Sequence, residues 1–340
     1  MDRILMVDDS AFMRKLISDI LNKIPNVSEV RIARNGQNCL DILDADNGFD
    51  LILMDIEMPV MDGLSALRQI KKDYSIPVVM LSAVNDQAVT IKALEYGAAD
   101  FIEKPVNLME IQDEWVRELY AKIKNICGRS SKPQVSARHI TAANSNNPNR
   151  AHKKRNAKPQ AVVIGSSTGG PKALLEIIKG VSHTNVPVFI VQHMPAGFTR
   201  TFSERLNEES GATVVEASDN MLIKNQIYLC PGNYHMTIQG DRLKLDQRPK
   251  MHGTRPAVDY LFETAAAHYG ADLTAFILTG MGHDGTAGLQ TIMDEGGYAI
   301  AEDQESCTVF GMPRSAIEAH VVDEVVSLHE IGKILQTIVG

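Results

Sequence analysis

ILMVD (4–8) and LILMD (51–55) each end an unbroken apolar run on an aspartate. Runs of this kind suit strands covered on both faces, as in a parallel sheet flanked by helices. VRIA (30–33), PVVMLSA (77–83) and DFIEKP (100–105) read the same way. Between the runs, AFMRKLISDILNKI (11–24), GQNCLDILDAD (36–46), GLSALRQIKKD (63–73) and QAVTIKALEYGA (87–98) have helical patterning. This βα alternation predicts an N-terminal α/β domain, a doubly wound five-stranded parallel sheet. A last helix is read over 107–127, and the domain is bounded at 1–122.

The composition then changes. Residues 129–160 hold eight Lys or Arg, no Asp or Glu, and many Ser, Asn and Pro, with no apolar run. A linker is assigned to 123–159, read as a solvated tether. From 160 to 340 the alternation resumes. AVVIG (161–165), VPVFIVQH (186–193), TAFILTG (274–280) and YAIAED (298–303) read as buried parallel strands. NQIYLCP (225–231) and the hairpin HMTIQ/RLKLD (235–246) read as a β-excursion. The second domain is therefore expected to be α/β, with a mainly parallel sheet and a small antiparallel addition.

Charge and cysteine content exclude several classes. The net charge of −8 gives no general attraction to nucleic acid or an anionic membrane. The four cysteines lack C-x-x-C spacing, so neither a disulfide framework nor a zinc site is implied. MDRILMVDDS is too short in apolar residues for a signal-peptide core, and no run approaches a membrane span. A cytoplasmic chain without membrane insertion is expected.

Ligands of doubly wound sheets sit at the carboxyl ends of the strands. Asp8, Asp9, Asp55, Ser82 and Lys104 all fall there in the first domain. Three carboxylates at one edge repel unless a cation joins them, and an all-oxygen donor set suits Mg²⁺. Asp55 is then the candidate nucleophile for a phosphoryl group, with Lys104 to pair its oxygens and Ser82 to follow them. Lys104–Pro105 is also a site where a cis peptide bond is expected. This segment resembles the response-regulator receiver domains of two-component signalling. The resemblance implies phosphorylation at Asp55, Mg²⁺ held by Asp8, Asp9 and Asp55, and switch positions at Ser82, Phe101 and Lys104.

In the second domain, Gly165-Ser166-Ser167-Thr168-Gly169 fits G-x-S-x-G between a strand and a helix, a turn that exposes a serine. The helix N-terminus behind it favours a developing anion. GSSTGG alone also fits a phosphate cradle, and Ser166 competes with Ser167 for the nucleophile's place. His193, ending VPVFIVQH, and Asp284, just past TAFILTG, converge with Ser167 on one edge of a parallel sheet. Serine needs a base, and the base needs a partner that fixes its tautomer, so Ser167, His193 and Asp284 are assigned as nucleophile, general base and orienting acid. Their chain order differs from that of α/β-hydrolases.

IGSSTGG (164–170), VQHMPAGFT (191–199), CPGNYHM (230–236), RPAVD (255–259) and TGMGHDG (279–285) together resemble the catalytic domain of the chemotaxis protein-glutamate methylesterase/glutamine deamidase family, CheB. The resemblance implies hydrolysis of γ-glutamyl methyl esters on methyl-accepting chemotaxis receptors and deamidation of glutamines there. It implies catalysis at Ser167, His193 and Asp284, a chemotaxis histidine kinase as phosphodonor, and no metal in the esterase step. The Met281 backbone N–H is the oxyanion candidate, and no role is given to His283. The alternative is a receiver with a nucleotide- or DNA-binding output.

Overall fold

The computed structural model describes residues 2–83, 86–105, 113–127 and 158–340. The chain divides into two units, Met1–Gln134 and Val135–Gly340.

In the first unit, β1 (Asp2–Val7), β2 (Val27–Ala33), β3 (Leu51–Asp55), β4 (Val78–Ser82) and β5 (Asp100–Glu103) form a sheet in the order β2-β1-β3-β4-β5. Every pairing is parallel. β3 and β4 are buried at every residue, which is why their sequences are unbroken apolar runs. α1 (Ala11–Leu21), α2 (Gly36–Ala45) and α3 (Gly63–Asp73) start on side-chain caps, where Ser10, Asn35 and Asp62 accept from the N–H groups of Met13, Asn38 and Ser65. α4 (Gln87–Glu95) and α5 (Asp113–Cys127) follow. α5 continues through 123–127, residues given to the linker above, because Ile123, Ile126 and Cys127 are buried. Residues 107–112 of the expected helix, and 128–157 of the expected linker, lie outside the described residues. Among the described residues Lys104–Pro105 is not cis, and the cis bond found is Arg255–Pro256.

The second unit is built on β6 (Ala161–Ser166), β7 (Val188–Gln192), β8 (Val214–Glu216), β9 (Ile227–Leu229), β12 (Leu273–Ile277), β13 (Tyr298–Glu302) and β14 (Glu324–Val326). They form one parallel sheet in the order β14-β13-β12-β6-β7-β9-β8. The chain runs outward from β6 through β7 in one direction and from β12 in the other. The order therefore reverses between β6 and β12, which makes that crevice the topological switch point. The hairpin β10 (His235–Gln239)/β11 (Arg242–Asp246) is the antiparallel addition. Helices α6 (Gly170–Ile178), α7 (Phe198–Glu209), α8 (Val258–Tyr269), α9 (Thr286–Asp294), α10 (Met312–Glu318) and α11 (Leu328–Val339) cover the sheet.

One segment departs from expectation. NQIYLCP contributes β9 to the parallel sheet and not to the antiparallel excursion. Its Ile227, Tyr228 and Leu229 are fully buried and pair with Val188, Phe189 and Ile190 of β7. The Tyr228 ring stacks on Phe189 at 5.4 Å between centroids, and its hydroxyl accepts the Lys224 N–H. A buried tyrosine thus keeps a polar partner at its far end.

Candidate active site

β6 delivers the serine turn. Ser166 and Gln192 are register partners at the ends of β6 and β7. Ser166 is fully buried and its hydroxyl donates to Gln192 Oε1 at 2.7 Å. Ser167, next in the chain, is half-buried with its side chain past the strand end. Burial and a committed hydroxyl argue against Ser166 as a rival nucleophile. Gln192 also donates from Nε2 to the Ser167 and His193 carbonyls, each at 2.9 Å. One carboxamide therefore ties the serine turn to the histidine strand. A Cβ at Gly170 would come within 2.0 Å of Gln192 Oε1, so the glycine there makes room for this clamp.

The other wall of the turn comes from β12. The Ser167 N–H donates to the Thr279 carbonyl at 3.0 Å. The Thr279 hydroxyl donates to the Thr168 carbonyl at 2.9 Å and accepts the Val309 N–H at 2.8 Å. The Thr279 N–H donates to the buried Glu302 carboxylate at 2.8 Å. Gly280 lies so close that an added Cβ would be 2.8 Å from Ser167 Cβ. Met281, the oxyanion candidate, follows directly and is half-buried. Among the described residues its N–H has no hydrogen-bond acceptor.

His193 Nε2 lies 2.7 Å from Asp284 Oδ2. Asp284 is 2 % exposed. Val258 N–H donates to its Oδ2 at 2.7 Å and Asp259 N–H to its Oδ1 at 3.0 Å, both from the first turn of α8. Burial penalises the Asp284 charge, but the His193 bond and these N–H groups outweigh it and hold the carboxyl below its ordinary pKa. Asp284 is thus set up as an anion facing the imidazole. Among the described residues no hydrogen bond joins Ser167 Oγ to His193, and such bonds often tighten only with substrate present. His283 is exposed and stands edge-on to His252, with ring centroids 4.4 Å apart.

The first unit collects its acids as the strand ends require. One carboxylate oxygen from each of Asp8, Asp9 and Asp55 lies within 4.8 Å of the others. Asp8 and Asp55 are buried and Asp9 is exposed. Lys104 Nζ reaches Asp55 Oδ1 at 2.6 Å and Asp8 Oδ2 at 3.1 Å. Burial raises the Asp55 carboxyl, Lys104 opposes it and Asp8 adds to it, leaving it at about 6. Burial works against the Lys104 cation, but Asp55 and then Asp8 outweigh it and lift its pKa. Buried Asp8 Oδ2 meets the Lys104 ammonium at 3.1 Å and no other donor among the described residues. A hard dication fits this donor set, since it would partner that oxygen and offset the crowded charge. The Ser82 hydroxyl is buried against Thr90 Oγ1 at 2.6 Å. Phe101 is buried, 5.4 Å from the Lys122 ammonium.

Gln192, Thr279 and the His252–Asp259 pair behind Asp284 were given no role from the sequence, although Gln192, Thr279 and Asp259 lie within the motifs VQHMPAGFT, TGMGHDG and RPAVD.

The two units define a class: a receiver-type domain with an acidic strand-end pocket, joined in one chain to an α/β domain with Ser, His and Asp at a switch point. Residues 4–115 match the response regulator receiver domain and residues 162–335 the CheB methylesterase. A protein-glutamate methylesterase/protein-glutamine glutaminase of Pyrococcus abyssi is 41% identical over 97% of this chain and 91% of its own length. One of Geobacillus kaustophilus is 41% identical over 99% of both chains. The crystal structure of the Thermotoga maritima CheB methylesterase catalytic domain covers 53% of this chain and 100% of its own, with 41% identity and a TM-score of 0.51. The chain belongs to the CheB methylesterase family. A nucleotide- or DNA-binding output is accordingly not favoured.

Proposed function

We propose that this chain is a phosphorylation-regulated serine hydrolase. It demethylates glutamate γ-methyl esters and deamidates glutamines on methyl-accepting chemotaxis receptors. Family membership and the names of the relatives support the substrate. The observation that carries the catalytic reading is the 2.7 Å His193–Asp284 contact beside the Ser167 turn.

With the Nε2 proton held toward Asp284, His193 Nδ1 is left to take the Ser167 proton. Ser167 Oγ then bonds to the ester or amide carbon, whose oxygen becomes the oxyanion. The Met281 N–H is the candidate donor to it. The imidazolium, stabilised by Asp284, gives its proton to the leaving group as the tetrahedral intermediate collapses, so methanol or ammonia departs and the acyl-enzyme remains. Water attacks next by the same route, freeing glutamate and Ser167. The scheme uses no metal.

Regulation resides in the other unit. Asp55 accepts a phosphoryl group from a chemotaxis histidine kinase. Asp8, Asp9 and Asp55 would hold Mg²⁺, which supplies charge neutralisation there. Ser82 must give up Thr90 for its hydroxyl to follow the phosphoryl oxygens, and Lys104 pairs with them. The setting is the cytoplasm, without nucleic acid or membrane insertion; among the described residues no helix is long and apolar enough to cross a membrane.

The test is methanol release from methylated receptor by wild type and Ser167→Ala, each with and without a small phosphodonor plus Mg²⁺. Release that rises with phosphodonor and vanishes in the variant is expected. Equal release from both proteins would remove Ser167 as nucleophile.

A further inference from the structure

Behind Asp284 stands a second imidazole–carboxylate pair that the catalytic scheme does not use. His252 Nε2 lies 2.9 Å from Asp259 Oδ2. Asp259 Oδ1 accepts the Gly288 N–H at 2.7 Å, and the Asp259 N–H itself donates to Asp284. One ligand atom from each of His252, Asp259 and Asp284 lies within 4.8 Å of the others. Both carboxylate side chains are 2 % exposed, whereas that of His252 is 30 % exposed and opens the cluster to solvent.

Of these two neighbouring buried carboxylates, Asp259 is the less compensated. Burial raises the Asp259 carboxyl, the Gly288 N–H opposes this, and the Asp284 charge raises it again. Replacing the proton between His252 and Asp259 with a dication would relieve both penalties at once. The lone pairs allow it. Among the described residues Asp259 Oδ2 and Asp284 Oδ1 each accept one hydrogen bond, and a carboxylate oxygen offers two lone pairs. An imidazole with carboxylate oxygens is a donor set for Zn²⁺ and its neighbours, unlike the all-oxygen pocket of Asp8, Asp9 and Asp55, which suits Mg²⁺.

We infer that His252, Asp259 and Asp284 form a binding site for a transition-metal dication of the Zn²⁺ class, and that filling it stops the hydrolase. The inhibitory half rests on the proposed catalytic role of Asp284. A carboxylate shared with a metal no longer offers its full charge to the His193 imidazolium, so the ion that binds behind the acid disarms the base in front of it. Neither the serine nor the substrate cleft need be touched.

The test compares the full chain with His252→Asn. Asparagine suits the site because His252 has φ +53°, a left-handed conformation that asparagine tolerates; His252→Gln serves as the second variant. Zn²⁺ binding is measured by equilibrium dialysis of chelator-treated protein in excess Mg²⁺, which keeps the receiver pocket filled. Methanol release from methylated receptor is followed over a ZnCl₂ titration. Wild type is expected to bind one more Zn²⁺ than either variant and to recover activity on chelation. The midpoint of inhibition should move upward by about tenfold or more in the variants. Equal zinc stoichiometry in all three proteins overturns the site. One fewer ion with an unmoved midpoint overturns the inhibitory role and leaves the site. Absence of methanol release from zinc-free wild type counts against the proposed function alone, because dialysis still decides the site.

Discussion

Replacing Asp55 with asparagine should stabilise the first unit at neutral pH when no metal is present. Burial is the main cause of the Asp55 shift, from 3.8 to about 6. A carboxyl whose folded pKa lies above its unfolded value binds its proton more tightly in the fold. Its favourable contribution is complete below about 4 and is lost as pH rises through 6. Two pKa units correspond to about 3 kcal/mol at most, at ~1.4 kcal/mol per unit. Lys104 retains Asp8 at 3.1 Å after the substitution, so the ammonium is not orphaned. The assay is thermal unfolding of the full chain in EDTA at pH 4.5 and pH 7.5, followed by circular dichroism. The unfolding step that responds to Mg²⁺ in wild type identifies the receiver unit. Asp55→Asn should unfold later than wild type at pH 7.5, by roughly 10 °C for a unit of this size. The gap should narrow at pH 4.5, and Mg²⁺ should narrow it at pH 7.5 by stabilising wild type. If the variant unfolded at or below the wild-type temperature at pH 7.5 in EDTA, the reading of Asp55 as a carboxylate held at a cost would be wrong.

Three further outcomes are expected at the hydrolase site. Ser166→Ala should keep methanol release within about tenfold of wild type, since its hydroxyl is committed to Gln192 and the loss amounts to one buried hydrogen bond; a collapse as deep as that of Ser167→Ala would reassign the nucleophile. Asp284→Asn should lower kcat by about 10³–10⁴, with KM little changed, because the amide no longer stabilises the imidazolium and its NH₂ meets the Val258 or Asp259 N–H; kinetics on methylated receptor decide it. Gly280→Ala should lower kcat by about 10²-fold while the protein still folds, because the new Cβ falls 2.3 Å from Met312 Sδ and 2.8 Å from Ser167 Cβ and must displace the nucleophile. Unchanged kcat would mean that the serine turn is free to shift.

Much of the fold was legible because parallel strands buried on both faces are written as unbroken apolar runs. LILMD (51–55) and GLSALRQIKKD (63–73) match their elements residue for residue. β8 and β14 were not legible. Each has three residues at a sheet edge with one or no fully buried position, so neither leaves a periodic trace. IYL (227–229) was seen as a strand but misassigned, since its sequence carries nothing about which strand it pairs with. The site divides in the same way. Ser167, His193 and Asp284 stand at strand ends that local sequence marks. Gln192 and Thr279 act through bonds to residues 25 and 111 positions away, which only the register creates.

Asp55 and Asp284 are both buried aspartates at the carboxyl edge of a parallel sheet, and their environments push them in opposite directions. Asp284 is met by two backbone N–H groups and an imidazole, and those donors outweigh burial, so it stays an anion without help from an ion. That suits the role proposed for it, holding positive charge on His193. Asp55 is met by Lys104 but also by Asp8, and burial prevails, so its carboxyl is lifted to about 6. The proposed phosphoryl acceptor therefore ionises at a cost that Asp284 does not bear. The first turn of α8 points two N–H groups at Asp284, whereas Asp55 has one such donor, from Ile56, and Asp8 as a repelling neighbour.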